Sequence, residues 1–141
     1  MGPEAPETHR QVNLLLDTHI WIWALTRPQL LERRVRKHLE NPANQLFLSP
    51  VSIWEFSHLE RKGRIKLLRG RVPVEELIGR IPVREAPFNF AVASRANGIE
   101  LPQGDPGDIF LAATSLVFDL TLVTADRQLI DCAWLKTMAN E

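Results

Sequence analysis

The sequence of 141 residues has one cysteine, no net charge and no long apolar run. With Cys132 alone, the chain cannot form an internal disulfide or a zinc cluster of several cysteines, and a reducing compartment suits it. No segment approaches the roughly 20 apolar residues that a transmembrane helix needs, and the N-terminal residues lack the apolar core of a secretory signal. We therefore expect a soluble, cytoplasmic protein with a flexible tail at residues 1–11 and one domain at 12–141.

A formal net charge of +0 argues against a protein that holds nucleic acid by bulk charge alone. The basic residues are nevertheless concentrated in places. The segment RKGRIKLLRGR, from Arg61 to Arg71, contains no acid, and RRVRK at 33–37 adds a second basic run. Such runs are either solvated helix faces and loops or surfaces that bind phosphate, and the sequence leaves both interpretations open.

Apolar runs alternate with amphipathic stretches along the chain. Strands are predicted at 12–16, 45–49, 81–86, 120–124 and 134–138. Helices are predicted at 18–25, from Pro28 to about Asn41, at 50–63, 72–80, 88–97 with a left-handed cap at Gly98, 106–116 and 125–130. This order predicts an α/β fold in which helices flank both faces of a mostly parallel central sheet.

Several acids fall at the carboxyl ends of predicted strands, where the loops of such a fold converge. Asp17 and Asp126 each follow a strand, and Thr124 lies just before Asp126. Both acids also precede helices, so a simple role as helix N-caps is the alternative. Asp105 is the natural N-cap of a later helix, which leaves Asp108 in the first turn, where the helix dipole alone can account for it.

Glu55 fits a capping role less well. On a helix that begins at Ser49 and Pro50, it lies beyond the first turn and shares a stripe with apolar residues one turn to either side. Its carboxylate should therefore point at the core or into a cleft, where an unpaired charge is unfavourable. The alternative is a capping box formed by Ser52 and Glu55.

Together these carboxylates form a candidate metal site with hard oxygen ligands. Such ligands select Mg²⁺ or Mn²⁺, and Mg²⁺ commonly takes one or two carboxylates while keeping waters and phosphate oxygens. A metal there would lower the pKa of a bound water and neutralise charge on a leaving oxygen. The chemistry this predicts is metal-assisted hydrolysis of a phosphodiester bond, without a serine, cysteine or histidine nucleophile.

Four segments resemble, in order and spacing, the signature blocks of PIN-domain ribonucleases, particularly the VapC-like toxins of type II toxin–antitoxin pairs: LLLDTHIWIWAL, SPVSIWEFSHL, DPGDIFLAATS and LTLVTADRQL. The resemblance runs from about Val12 to Leu135. It implies a PIN-like fold, RNA cleavage that depends on Mg²⁺ or Mn²⁺, a homodimer, and neutralisation by a small antitoxin protein. The resemblance also implies the site residues, with metal-binding catalytic carboxylates at Asp17, Glu55, Asp108 and Asp126 and a supporting hydroxyl at Thr124.

One departure from the family pattern qualifies this resemblance. The DPGD segment has Gly107 and Ile109 where many relatives carry an aromatic residue and an arginine, so a basic side chain close to the site is missing.

An acidic cleft invites inhibition by an arginine or lysine of the antitoxin, and we expect that partner to dock beside Trp21, Trp54 and His58.

Two other functions remain as alternatives. A receiver-type phosphoacceptor domain also gathers acids at strand ends and uses Mg²⁺, but it needs adjacent acids after the first strand and a lysine in the loop after the last. Here Asp17 stands alone, and Lys136 falls within a predicted strand. A non-catalytic interaction module, whose acids are only helix caps, is the other alternative.

Overall fold

The computed structural model of the protein describes residues 11–65, 72–103 and 105–141. The predicted tail, apart from Gln11, lies outside the described residues, and so do residues 66–71 of the basic segment. The described strands are β1 Asn13–Leu16, β2 Gln45–Leu48, β3 Val83–Glu85, β4 Thr121–Thr124 and β5 Thr137–Ala139. They form one five-stranded sheet in the order β3-β2-β1-β4-β5, and every neighbouring pair is parallel. The predicted parallel sheet is therefore confirmed.

Helices connect the strands in the described part of the chain. They are α1 Thr18–Thr26, α2 Arg33–Glu40, α3 Pro50–Arg61, α4 Val74–Arg80, α5 Phe90–Ala96, α6 Pro106–Phe118 and α7 Arg127–Ile130. None of the helices in these ranges is long and apolar enough to cross a bilayer.

The predicted helix from Pro28 to about Asn41 is wrong, because the segment breaks into two parts. A short 3-10 turn at Pro28–Leu30 is followed by an extended Leu31, and α2 begins only at Arg33. Asn140 explains the break: its side chain accepts a 2.6 Å hydrogen bond from the backbone N–H of Glu32 and donates to the carbonyl of Leu30 at 3.1 Å. A residue far along the sequence thus binds backbone groups that a continuous helix would use.

Two other local predictions need correction. Gly98 does not form a left-handed cap, because α5 ends at Ala96 and its C-cap, Asn97, is in a right-handed conformation. The described glycine with a positive φ is Gly63, at 69°, just after α3. The last strand is shifted to Thr137–Ala139, because Leu135 donates its N–H to the carbonyl of Cys132 in a turn and buries its side chain.

Alternate side chains of β1 enter two apolar layers. Leu14 and Leu16 pack in one cluster with Trp21 and Phe56, whereas Leu15 packs in a second cluster with residues of α6 and β4. Because both faces of β1 are buried at its three leucines, these positions exclude polar groups. Asn13 at the start of the strand is exposed, and the next polar residue comes directly after Leu16. Asp17 occupies that position.

Candidate active site

Asp17 is held at the end of β1 by a contact with β4. It occupies the N-cap position of α1, but its side chain makes no capping hydrogen bond. Its Oδ2 instead accepts a 2.6 Å hydrogen bond from the hydroxyl of Thr124, and that hydroxyl oxygen accepts the backbone N–H of Asp126 at 3.0 Å. The capping interpretation is therefore wrong for Asp17, and Thr124 links two of the predicted site residues.

Asp126 does act as a helix cap, since its Oδ1 accepts the backbone N–H of Gln128 at 2.9 Å at the start of α7. Asp126 also makes a second contact. The carboxyl group of Asp126 also faces that of Asp108 and contributes to the raised pKa of Asp108. Asp126 thus caps α7 and also faces a second carboxyl group.

Glu55 projects from α3 toward α1. Its Oε1 accepts a 2.7 Å hydrogen bond from the hydroxyl of Thr18, whose oxygen lies 2.8 Å from Oγ of Ser52. The N-cap of α3 is Ser49, which accepts the N–H of Val51, so the proposed capping box of Ser52 and Glu55 is wrong. Instead, Thr18 anchors the carboxylate.

The start of α6 supplies the remaining acids. Asp105 is the predicted N-cap, and its Oδ1 accepts the backbone N–H of Gly107 at 2.9 Å. Asp108 lies in the first turn of α6, as predicted, and is partly buried. Its carboxyl group interacts electrostatically with Asp17, Asp105 and Asp126. The structure therefore brings the predicted acids to one edge of the sheet.

Burial and mutual repulsion raise the pKa of several of these acids. Burial is the main cause of the raised pKa of Asp17, partly offset by the hydrogen bond from Thr124. Burial also raises the pKa of Glu55, with Asp17 and Asp105 adding repulsion and the hydroxyl of Thr18 opposing the rise. For Asp108, burial followed by the repulsion of the neighbouring acids raises the pKa to about 8.

The donor set fits a divalent cation by its chemistry. No three of the histidine, cysteine, aspartate and glutamate side chains in the described ranges form a ready-made metal-binding group. However, partly desolvated carboxylates that repel one another favour an added positive charge, which would relieve the repulsion that raises their pKa values. Carboxylate oxygens are also the ligands that Mg²⁺ and Mn²⁺ prefer.

Three residues near the acids were not predicted. Thr18 anchors Glu55, the imidazole of His19 lowers the pKa of both Asp17 and Glu55, and Gly107 lies against the Glu55 carboxylate. Thr18 and His19 directly follow Asp17 in the sequence, so their positions next to a candidate site residue were the available signal. Gly107 was noted only as a departure from relatives.

The aromatic residues predicted to flank the site divide into two groups. Trp21 is fully buried and packs edge-on against Phe56, with ring centroids 5.6 Å apart, so it cannot belong to a docking surface. Trp54 is 60% exposed and stacks on His58 at 5.0 Å. Of the three predicted residues, Trp54 is therefore available to a partner, with the half-buried His58 beside it.

Two basic features bear on the alternatives. Arg61, Lys62 and Arg64 are exposed at the end of α3, so part of the predicted basic segment lies on the surface. Lys136 pairs with Asp119 through a 2.5 Å contact between exposed side chains. Lys136 therefore does not take the position among the acids that a receiver-type domain requires.

Comparison with known proteins identifies the class. Residues 14–135 match the model of the PIN domain family, and the chain belongs to that family. A sequence relative is Ribonuclease VapC22 of Mycobacterium tuberculosis, which is 29% identical over 119 residues, or 82% of this chain and 88% of the relative.

Solved structures share the fold. VapBC2 from Rickettsia felis, bound to a DNA fragment from its promoter, superposes with a TM-score of 0.64 at 14% identity and covers 92% of this chain and 100% of that one. FitAcB from Neisseria gonorrhoeae gives a TM-score of 0.56 at 25% identity, covering 90% of this chain and 97% of that one. The PIN-like fold expected from the sequence is thus confirmed.

Proposed function

We propose that this protein is a metal-dependent endoribonuclease that acts as the toxin of a toxin–antitoxin pair. The observation that carries the proposal is the convergence of acids from four separate segments, with Asp17 and Glu55 each anchored by a threonine hydroxyl. Helix caps alone would not require this convergence, because a cap needs only its own helix. The PIN family membership and the VapC22 relative support a ribonuclease.

In this proposal the carboxylates hold Mg²⁺ or Mn²⁺ and are catalytic: Asp17, Glu55, Asp108 and Asp126. When bound, the cation would neutralise charge on the scissile phosphate and lower the pKa of the attacking water. Thr124 fixes the orientation of Asp17, and Thr18 fixes that of Glu55. Asp108, with its pKa raised to about 8, would give up its proton as the cation binds.

The proposed macromolecular partners are an RNA substrate and a small antitoxin protein. The structural relatives named VapBC2 and FitAcB support a two-protein system. The exposed Trp54 and the half-buried His58 stacked on it lie on the same helix as Glu55 and are the proposed docking position for the antitoxin. A cationic side chain of the antitoxin would be attracted to the acids and compete with the metal.

A homodimer is also proposed, and an exposed aromatic patch supports it. Phe90 is 96% exposed at the start of α5, and Phe88 is 40% exposed beside it. Phe88 packs edge-on against Phe110 of α6, with centroids 4.8 Å apart. Replacing Phe90 with serine should shift the protein toward a monomer in sedimentation equilibrium, while Trp54→Ser leaves the mass unchanged.

The function is tested by incubating the pure protein with RNA in Mn²⁺ and in EDTA. Cleavage that requires Mn²⁺ and disappears in Asp17→Asn supports the proposal. Labelling of the protein by acetyl phosphate without RNA cleavage would identify a receiver-type domain. If the protein is folded but shows neither reaction and binds no Mn²⁺, the interaction module remains as the function.

A further inference from the structure

Gly107, in the first turn of α6, faces the carboxylate of Glu55 across a gap that has no room for a side chain. A β-carbon at this position would lie 2.8 Å from Oε2, 3.1 Å from Cδ and 3.3 Å from Oε1 of Glu55. Favourable contacts of carbon with non-bonded atoms begin near 3.5 Å, so a side chain here would push the carboxylate away. We infer that Gly107 is a positioning residue that lets Glu55 lie against the start of α6.

The backbone supplies no other reason for a glycine here. Gly107 lies inside α6, and its φ is not in the left-handed region that favours glycine. Within a helix, glycine is less favourable than alanine. The missing side chain therefore does not stabilise the fold, and its role is to allow the close contact with Glu55.

Thr18 holds the other oxygen of the Glu55 carboxylate, because its hydroxyl donates to Oε1 at 2.7 Å whereas the β-carbon position of Gly107 is nearest to Oε2. The carboxylate is thus in contact with both this hydroxyl and the first turn of α6. Displacing it by several tenths of an ångström would lengthen the hydrogen bond from Thr18 and change its distance from Asp17 and Asp105, which act on it electrostatically. Because Glu55 is a flexible side chain, the displacement would disturb the site more than the fold.

The inference rests on the proposed metal-binding role of Glu55, and an alanine pair tests it. Gly107→Ala is compared with Gly79→Ala, since a β-carbon on Gly79 of α4 meets no atom within 4 Å. Both variants should melt no lower than wild type in EDTA. Measured by calorimetry, Gly107→Ala should bind Mn²⁺ on the order of tenfold more weakly, as for other residues that orient metal ligands, and Gly79→Ala as tightly as wild type.

A second substitution tests whether the effect passes through Glu55. Glu55→Asp shortens the side chain by one methylene and makes room for a β-carbon at position 107. In the Gly107→Ala background this change should weaken Mn²⁺ binding less than it does in wild type. The effects of the two substitutions on Mn²⁺ affinity would then be non-additive. Additive losses would overturn the inference, because they would mean that the two residues act independently.

The crystal structure of Gly107→Ala separates this inference from the proposed function. A lengthened contact between Thr18 and Glu55 is the expected result. An unchanged contact, or unchanged Mn²⁺ affinity in a wild-type protein that binds Mn²⁺, would overturn the positioning role. If wild type neither binds Mn²⁺ nor cleaves RNA, the proposed function fails, and the Thr18 to Glu55 distance in the variant still decides whether Gly107 positions Glu55.

Discussion

The hydroxyl of Thr124 donates a 2.6 Å hydrogen bond to Oδ2 of Asp17, across the junction of β4 and β1. The same oxygen accepts the backbone N–H of Asp126 at 3.0 Å. A fully buried threonine therefore fixes one acid by its side chain and another by its backbone. This relationship explains why Asp17 is tolerated directly after the three buried leucines of β1.

Replacing Thr124 with valine should weaken the site without changing the side-chain volume appreciably. Removal of the hydrogen bond leaves Asp17 and the N–H of Asp126 without that partner, which we expect to lower the free energy of unfolding by about 1–3 kcal/mol. Mn²⁺ affinity should fall on the order of tenfold. Calorimetry on Thr124→Val and on Thr121→Val, at the other end of β4, makes the comparison. Equal Mn²⁺ affinity in both variants would contradict a supporting role.

Asp17→Asn and Asp108→Asn should each abolish metal-dependent RNA cleavage without unfolding the protein. The amide is nearly isosteric with the carboxylate but carries no charge to balance a divalent cation. Asp105→Asn should have a smaller effect, because asparagine also caps helices and can keep the hydrogen bond to Gly107. Cleavage rates are measured beside circular dichroism spectra. Equal losses from Asp105→Asn and Asp108→Asn, both folded, would show that the catalytic acid is wrongly assigned.

The raised pKa of Asp108 predicts a stability that depends on pH in the absence of metal. Its pKa of about 8 in the folded protein exceeds the ordinary value of 3.8, so the folded state binds the proton more tightly than the unfolded state. The fold should therefore lose stability as pH rises from about 4 to 8. Because Asp108 is only partly buried, solvent screening limits this loss to about 1–2 kcal/mol.

Asp108→Asn removes that loss and should melt higher than wild type in EDTA at pH 7, with a smaller gain near pH 4. Millimolar Mn²⁺ should reverse the order, because the metal stabilises only the protein that binds it. Thermal scans of both proteins in both buffers provide the measurement. A variant that melts lower in EDTA and is insensitive to Mn²⁺ would indicate a dipole interaction at a helix start rather than a cluster of acids.

Substitution of the two tryptophans should separate stability from partner binding. Trp21→Ala removes a fully buried side chain and should cost about 3–5 kcal/mol of stability. Trp54→Ala, at a side chain 60% exposed, should change stability by less than about 0.5 kcal/mol while weakening the antitoxin complex. Chemical denaturation and affinity for the co-expressed antitoxin are the measurements. Unaltered affinity in Trp54→Ala would place the docking surface elsewhere.

The sequence predicted the sheet and the convergence of the acids because both follow from short-range patterns. Apolar runs identify buried strands, and parallel strands bring the residues after them to one edge. The break after Leu30 could not be predicted, since it depends on Asn140, which is distant in sequence. The burial of Trp21 was also missed: the periodicity of α1 marks an apolar stripe but does not reveal that Phe56 of α3 covers it.

The sheet order has a consequence for synthesis of the chain on the ribosome. Central strand β1 pairs with β4, so Leu16 meets Val123 only after residues 17–122 have been made. Until residues 121–124 emerge, one side of β1 has no partner strand, and Asp17 lacks the hydroxyl that orients it. A chain whose synthesis stops before Thr124 contains Asp17, Glu55 and Asp108 but no complete site. Under the proposed function, the cell that makes this nuclease is therefore exposed to its activity only after translation has passed residues 121–124.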